Sequence, residues 1–373
     1  IGGGLSGLAA AIRIARFNPH VLLLEKHSRL GGLNSYFYRN NTLFETGLHA
    51  ITNYAETKDK SAPLNRLLRQ LKLKRRDLTF CEQYQSEVIF QGCTSLKFSN
   101  DFSLFQTEIS DKFPQTKEGF HRLLTFLRDF DPFLANPFRS AKTFLLEKLK
   151  DPLLVDMILC PLMYYGSCHE DDMDLSQFAI MFRAIFQEGM FRPLGTIKDF
   201  LDFLVDHYLL LGGQLRKNCG VKKILFHKEK VIGVLLASGE VIECDHLLST
   251  IGRDETMNLI EDEVNRPSEN GQRLGFVETI YQVPEKTTAN LPRDKTIIFY
   301  NDAGSFSYKK PKDFVDFSSG VICFPGNFQG LEPKDLTEIR STHLANYTKW
   351  KTLSKDAGLY KDQKKITSQR SGQ

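Results

Sequence analysis

The feature that most constrains this chain is its opening, Ile1-Gly-Gly-Gly-Leu-Ser-Gly7, in which Gly2, Gly4 and Gly7 fall in a G-x-G-x-x-G spacing with Ser6 inside the loop. Leu5, Leu8 and Ile12 then recur at i, i+3 and i+7, which predicts a helix over residues 8–15 with one apolar stripe. The three glycines serve different ends. The first permits a tight turn, the second lets backbone approach a pyrophosphate, and the third lets the helix pack closely on a sheet. Phosphates would then meet the helix N-terminus, where unpaired N–H groups and the dipole favour negative charge. Glycine-rich turns are common, so the loop alone decides little. The next element adds more: Val21-Leu-Leu-Leu24 is an apolar run suited to a buried parallel strand, and it ends in Glu25, about twenty residues past the loop. A carboxylate there can accept hydrogen bonds from ribose hydroxyls. Loop, helix, strand and acid together predict a dinucleotide-binding α/β domain of Rossmann type.

NAD and FAD share that fingerprint, so the discriminating feature lies further on. In Glu25-Lys-His-Ser-Arg-Leu-Gly31-Gly32 a glycine doublet follows the acid and would bring the chain past the cofactor a second time. Tyr36-Phe-Tyr38 and Thr42-Leu-Phe44 flank Asn40-Asn41, a hairpin signal built on residues that tolerate positive φ. The chain leaves this hairpin through Glu45-Thr-Gly47-Leu48-His49. With these motifs the sequence resembles the FAD-dependent desaturase and amine-oxidase superfamily, most closely its phytoene desaturase, carotenoid isomerase and retinol saturase branch. The resemblance implies FAD as cofactor. It also implies that Glu25, Lys26, Gly31, Gly32, Gly47, Leu48 and His49 line the ADP ribose, the pyrophosphate and the flavin edge, beside Gly2, Gly4, Ser6 and Gly7. Leu33 departs from the family pattern, where Arg often follows the doublet.

A second matching stretch runs from Arg192-Pro-Leu-Gly195 through a helix over residues 197–211 to Gly212-Gly213, a helix C-terminus signal. Short strands follow at 221–224 and 231–236, then Ser238-Gly-Glu240 and Cys244-Asp-His-Leu-Leu-Ser249. This order is similar to the family's second FAD segment, in which the residue matching Val221 faces the adenine. Only half of the usual glycine pair is present, with Thr196 after Gly195. Without the first motif this stretch would read as a generic β-meander.

The fold expected is therefore α/β: a Rossmann-type FAD-binding domain built from discontinuous segments, 1–55 and 191–260, with an α+β substrate domain inserted at 56–190, largely helical, and at 261–350. Residues 351–373 lack apolar periodicity and read as a solvated or disordered tail. A first strand is expected before the loop and a third flavin-contacting segment after it, so truncation at both ends is an expectation.

Seven cysteines with no C-x-x-C pair indicate neither a disulfide framework nor a zinc site, and no metal is expected. They suit a reducing, cytoplasmic setting. A net charge of +4 is too small to indicate nucleic acid, and no apolar run approaches the roughly 18–20 residues that span a bilayer. The 29 Phe against 12 Tyr and one Trp supply aromatic surface without a polar handle, for a greasy pocket or for cores. Leu64, Leu67, Leu68 and Leu71 share one face of a stretch rich in Arg and Lys, which fits either an ordinary domain surface or a helix in peripheral contact with an anionic membrane. Residues 161–166 and 181–186 are candidates for lining a tunnel, with core packing as the alternative.

The implied activity is FAD-dependent oxidoreduction at carbon–carbon bonds of a long apolar polyene or isoprenoid, a lipophilic small-molecule substrate. His49 is the titratable residue the motif places by the flavin, as a catalytic proton shuttle or as a structural donor to backbone. An amine or porphyrinogen oxidase, and a non-catalytic flavoprotein remnant, are the competing readings.

Overall fold

The computed structural model describes residues 1–47, 50–134, 136–260, 274–285, 291–332 and 334–372. It divides into two compact units: one made of residues 1–50, 56–80 and 193–269, the other of 51–55, 81–192 and 270–373. Segment 56–80 thus packs within the first unit, whereas the sequence predicts it with the insert. The reason is visible in its leucines. Leu68, Leu71, Leu73 and Leu78 are buried, and of the basic helix's stripe only Leu67 is exposed, at 46%. That helix is short, Pro63–Gln70, and its last carbonyls are met by the guanidinium of Arg16 on Gln70 O and by His207 Nε2, 2.9 Å from Leu71 O.

In the first unit the helix Leu5–Ala15 buries Leu8 and Ile12 of the expected stripe together with Ala11 and Ala15, while Leu5 is half-buried. Strand Leu22–Leu24 pairs in parallel with Gln214–Arg216. Single backbone bonds extend the arrangement on the other side: Gly2 N–H donates to Leu24 O, and Thr250 N–H to Ile1 O, both at 2.9 Å. The hairpin Tyr36–Arg39 and Thr42–Glu45 closes on Asn40 and Asn41 with φ of 49° and 60°, the left-handed values its Asn-Asn turn demands. Helix Ile197–Leu210 ends at Gly212, where φ is 86°. Strands Val221–His227, Lys230–Leu236 and Val241–Glu243 form an antiparallel sheet.

The second unit centres on a six-stranded sheet, in order 274–284, 336–346, 319–323, 297–301, 86–90, 94–98. All neighbours are antiparallel except Ile297–Asn301 with Ser86–Phe90. Its core is filled by phenylalanine. Phe98 meets Phe186 edge-on at 5.0 Å, and Phe105 stacks on Phe186 at 4.2 Å. Pro161, Leu162, Met163, Phe182, Ile185 and Phe186 are buried here, so the two candidate tunnel stretches pack largely as core.

The tail expectation needs correction. Residues Ala357–Ser371 form a helix capped by Asp356, which accepts from the Gly358 and Leu359 N–H groups. Its inward face carries Tyr360, Gln363 and the buried Thr367, and Tyr281 Oη donates to Ser368 O at 2.6 Å. A helix can lack an apolar stripe when its packed face is small and polar.

Candidate functional site

The glycine loop is built by what its residues lack. A Cβ on Gly7 would lie 1.8 Å from Gly2 O, so only glycine lets the helix start this close to the preceding turn. Gly3 is equally confined, with a Cβ placed 2.4 Å from Leu30 Cδ2. Gly4 differs. A Cβ there would meet the Gly31 carbonyl and Gly32 Cα at 3.8 Å, ordinary van der Waals contact, so no clash forces glycine at Gly4.

The doublet lies against the loop: Gly31 N–H donates to Gly3 O at 2.8 Å, and Gly4 and Gly31 form a parallel bridge. Gly31 and Gly32 hold φ of 104° and 61°, which favour glycine. Gly4 is the N-cap of helix Leu5–Ala15; no side chain caps that end, and its first turn holds no acid. Ser6 is exposed at this end. Backbone N–H groups facing an open, side-chain-free cradle are the donor set a pyrophosphate takes. The residues therefore fit the diphosphate of a dinucleotide.

Glu25 is 6% exposed and organises the loop. Its Oε2 accepts from Gly3 N–H at 2.7 Å and its Oε1 from His27 N–H at 2.8 Å. Each carboxylate oxygen has a second lone pair, which leaves acceptor capacity for a ribose. The backbone around Glu25 also ties down the second segment, since Cys219 N–H donates to Glu25 O at 2.8 Å and Asn218 N–H to His27 O at 3.1 Å. Gly220 comes beside Lys26, its virtual Cβ 3.5 Å from Lys26 Cβ, and Val221 begins the strand that follows. Lys26 and Val221, far apart in sequence, are thus brought to one edge of the first unit. Gly47 holds φ of 81° beside the Leu33 carbonyl. Leu48 and His49 lie outside the described residues.

Two contributors, Thr250 and Glu45, carry no signal in the sequence, and a third, Thr196, is marked by the Thr-x-x-Asp spacing of a capping box. Thr250 Oγ1 donates to the carbonyls of Ile1 and Gly2, at 3.1 and 3.2 Å, and so fixes the turn at the first glycine. Buried Glu45 accepts from Ile197 N–H at 2.7 Å, which joins the hairpin to the second helix. Thr196, the departure from the glycine pair, N-caps that helix in a reciprocal box with Asp199. The Thr196 backbone N–H, then its hydroxyl, hold the Asp199 carboxyl below the usual carboxylate range.

A sequence-family model described as flavin containing amine oxidoreductase matches residues 5–313. The chain belongs to that family. Its cofactor is FAD. Among curated proteins, the carrot (Daucus carota) prolycopene isomerase is 22% identical over 307 residues, 74% of this chain and 49% of the isomerase. Human all-trans-retinol 13,14-reductase is 43% identical over 56 residues, 15% of this chain and 9% of the reductase. The chain spans about half the length of the isomerases it matches. An oxidoreductase from Methanosarcina mazei shares the fold with a TM-score of 0.66 at 14% identity, covering 96% of this chain and 81% of that one. In this flavoprotein family member no helix among the described residues is long and apolar enough to cross a membrane.

Proposed function

We propose that the chain is the flavin-binding part of an oxidoreductase acting on carbon–carbon bonds of a long apolar polyene or isoprenoid, by desaturation, saturation or isomerisation. The observation that carries this reading is that relatives named for three such reactions, an isomerase of prolycopene, a desaturase of phytoene and a reductase of retinol, all match it. In this reading Gly2, Gly4, Ser6, Gly7, Gly31 and Gly32 hold the diphosphate, Glu25 the ribose, Lys26 and Val221 the adenine side, and Gly47 and Leu48 the flavin edge. Hydride transfer at N5 is the chemistry FAD supplies when bound. His49 would hold or move the accompanying proton.

A hydrocarbon offers no charge to grip, so its affinity rests on buried apolar area at roughly 25 cal/mol per Å². Tyr164, Phe276, Phe306 and Tyr308 cluster in the second unit, with Tyr164 5.7 Å from Tyr308 and 6.0 Å from Phe276. Phe276 is 44% exposed and Tyr164 is partly accessible, which makes this cluster the proposed apolar wall. The test is anaerobic mixing of the full-length, FAD-loaded protein, oxidised and separately pre-reduced, with phytoene or a more unsaturated polyene in liposomes and, separately, with a panel of amines. Bleaching of the oxidised flavin by the polyene (desaturation), reoxidation of the reduced flavin (saturation) or recovery of an isomerised polyene supports the reading. Bleaching by amines alone overturns it in favour of an amine oxidase, the chemistry in the family's description.

A further inference from the structure

Three neighbouring segments of the second unit are rich in positive charge. The loop 309–313 holds Lys309, Lys310 and Lys312 against Asp313. Helix Tyr347–Leu353 and the turn after it hold Lys349, Lys351 and Lys355 against Asp356. Helix Ala357–Ser371 adds Lys361, Lys364, Lys365 and Arg370 against Asp362. Within these segments ten cations face three carboxylates, and the Glu170 carboxylate accepts from Lys310 N–H at 3.0 Å with Asp316 close by in the chain, so the excess positive charge is about +5.

The three segments pack against one another, with Arg370 on the Leu359 and Ile366 side of the last helix and Lys361, Lys364 and Lys365 around it. Lys310 Nζ donates to Thr348 Oγ1 at 3.2 Å, Asn346 Nδ2 donates to Pro311 O at 2.8 Å, and the rings of Trp350 and Tyr360 meet edge-on at 5.7 Å. Between them lies an open groove of about 500 Å³ lined by Phe314, Leu353 and Leu359 together with Lys349, Lys355, Asp356, Thr348 and Thr352. Leu359 is 56% exposed and Ile366, one heptad on along the same helix, 49%.

We infer that this surface docks onto a bilayer containing anionic phospholipid, with a lipid phosphate at Lys349 and Lys355 and apolar lipid against Leu359. Charge complementarity argues for an anionic partner. The apolar residues of the groove argue for a lipid over a nucleic acid, which would need stacking or base-edge contacts along a basic track. The basic stretch 64–76, for which membrane contact is the alternative to an ordinary domain surface, does not supply such a surface, because Leu68 and Leu71 are buried. The inference is independent of the reaction proposed above.

The test is co-sedimentation of the full-length, FAD-loaded protein with phosphatidylcholine vesicles, with and without phosphatidylserine. A lysine near an anionic surface adds enough attraction that binding should be at least about tenfold tighter to the anionic vesicles. It should weaken as salt shortens the screening length. The double variant Lys349→Glu with Lys355→Glu should fall to the phosphatidylcholine level, and Leu359→Ser should weaken binding while keeping its salt dependence. Bound flavin and an unchanged unfolding midpoint show that each variant is folded. Equal binding to both vesicles, charge-reversed protein that still binds like the parent, or capture by heparin without any vesicle binding would overturn the inference. Failure of the polyene to reduce the flavin would leave the docking result standing.

Discussion

Two helix N-termini in the first unit have opposite fates. The end at Leu5 has no side-chain cap and no acid in its first turn, and its N-cap Gly4 lies against the glycine doublet. The end at Ile197 is closed by the Thr196 and Asp199 box and by the buried Glu45 carboxylate. Both ends expose orphan backbone donors that must be satisfied. Where the protein meets that need itself, the end is scaffold. On the reading proposed above, the end left without a side-chain cap beside the glycine doublet takes the diphosphate of FAD.

The largest expected effect is at the open end but behind the cradle. Gly7→Val drives side-chain atoms into Gly2 O, and overpacking of this kind costs about 3 kcal/mol or more. Urea unfolding should show the loss, and FAD affinity should fall with it. A variant as stable as the parent would mean that the loop is not held by close packing.

A control outside both ends keeps acid effects from being credited to Glu25 or Glu45. His343 in the second unit is buried, with Nε2 2.8 Å from Tyr300 Oη, and burial pushes its pKa down to about 4. The unfolded chain, with an ordinary His pKa near 6.5, binds the proton first, so stability should fall as pH drops from about 6.5 towards 4. The full effect is roughly 2–3 kcal/mol, and it is absent above that window. His343→Gln should flatten this part of the pH dependence of the urea midpoint; an unchanged slope would contradict the assignment.

At the closed end, Glu45→Ala leaves the Ile197 N–H without its carboxylate acceptor. That should cost about 2 kcal/mol, whereas Glu45→Gln, which keeps an acceptor, should cost less. Thr196→Ala removes only the cap and should cost about 1 kcal/mol. Chemical denaturation of the three variants ranks them, and a reversed order would show that Glu45 is not what closes this end.

This contrast also explains what could be read from the sequence. Gly2, Gly4, Gly7 and Glu25 were legible because the cradle needs missing side chains at fixed spacing within a short stretch of chain. Glu45 and Thr250 were not. Their partners lie 152 and 248 positions away, and no local pattern marks an acid or a hydroxyl that bonds such distant backbone. Phe182 and Phe186 could not be assigned to tunnel or core because the same apolar ring serves both, and their contacts settle it only in the fold. The helix Ala357–Ser371 was hidden because its packed face holds Gln363 and Thr367 in place of an apolar stripe.

The smallest stability effect carries the most information. Gly4→Val sits at a backbone φ of −71° that any residue adopts and places its Cβ in ordinary van der Waals contact with the doublet, 3.8 Å away, so its cost to the unliganded fold should be well below that of Gly7→Val. The same side chain occupies the space assigned to the diphosphate. Losing two charge-assisted backbone bonds at about 1.5 kcal/mol each would weaken binding on the order of a hundredfold. The decisive measurement is a titration of full-length apoprotein with FAD, parent against Gly4→Val, with unfolding midpoints recorded in the absence of flavin. Matched midpoints with FAD binding lost in the variant are the expected result. Matched midpoints with equal FAD affinity would contradict the claim that the open helix end over Gly4 is the cofactor's cradle.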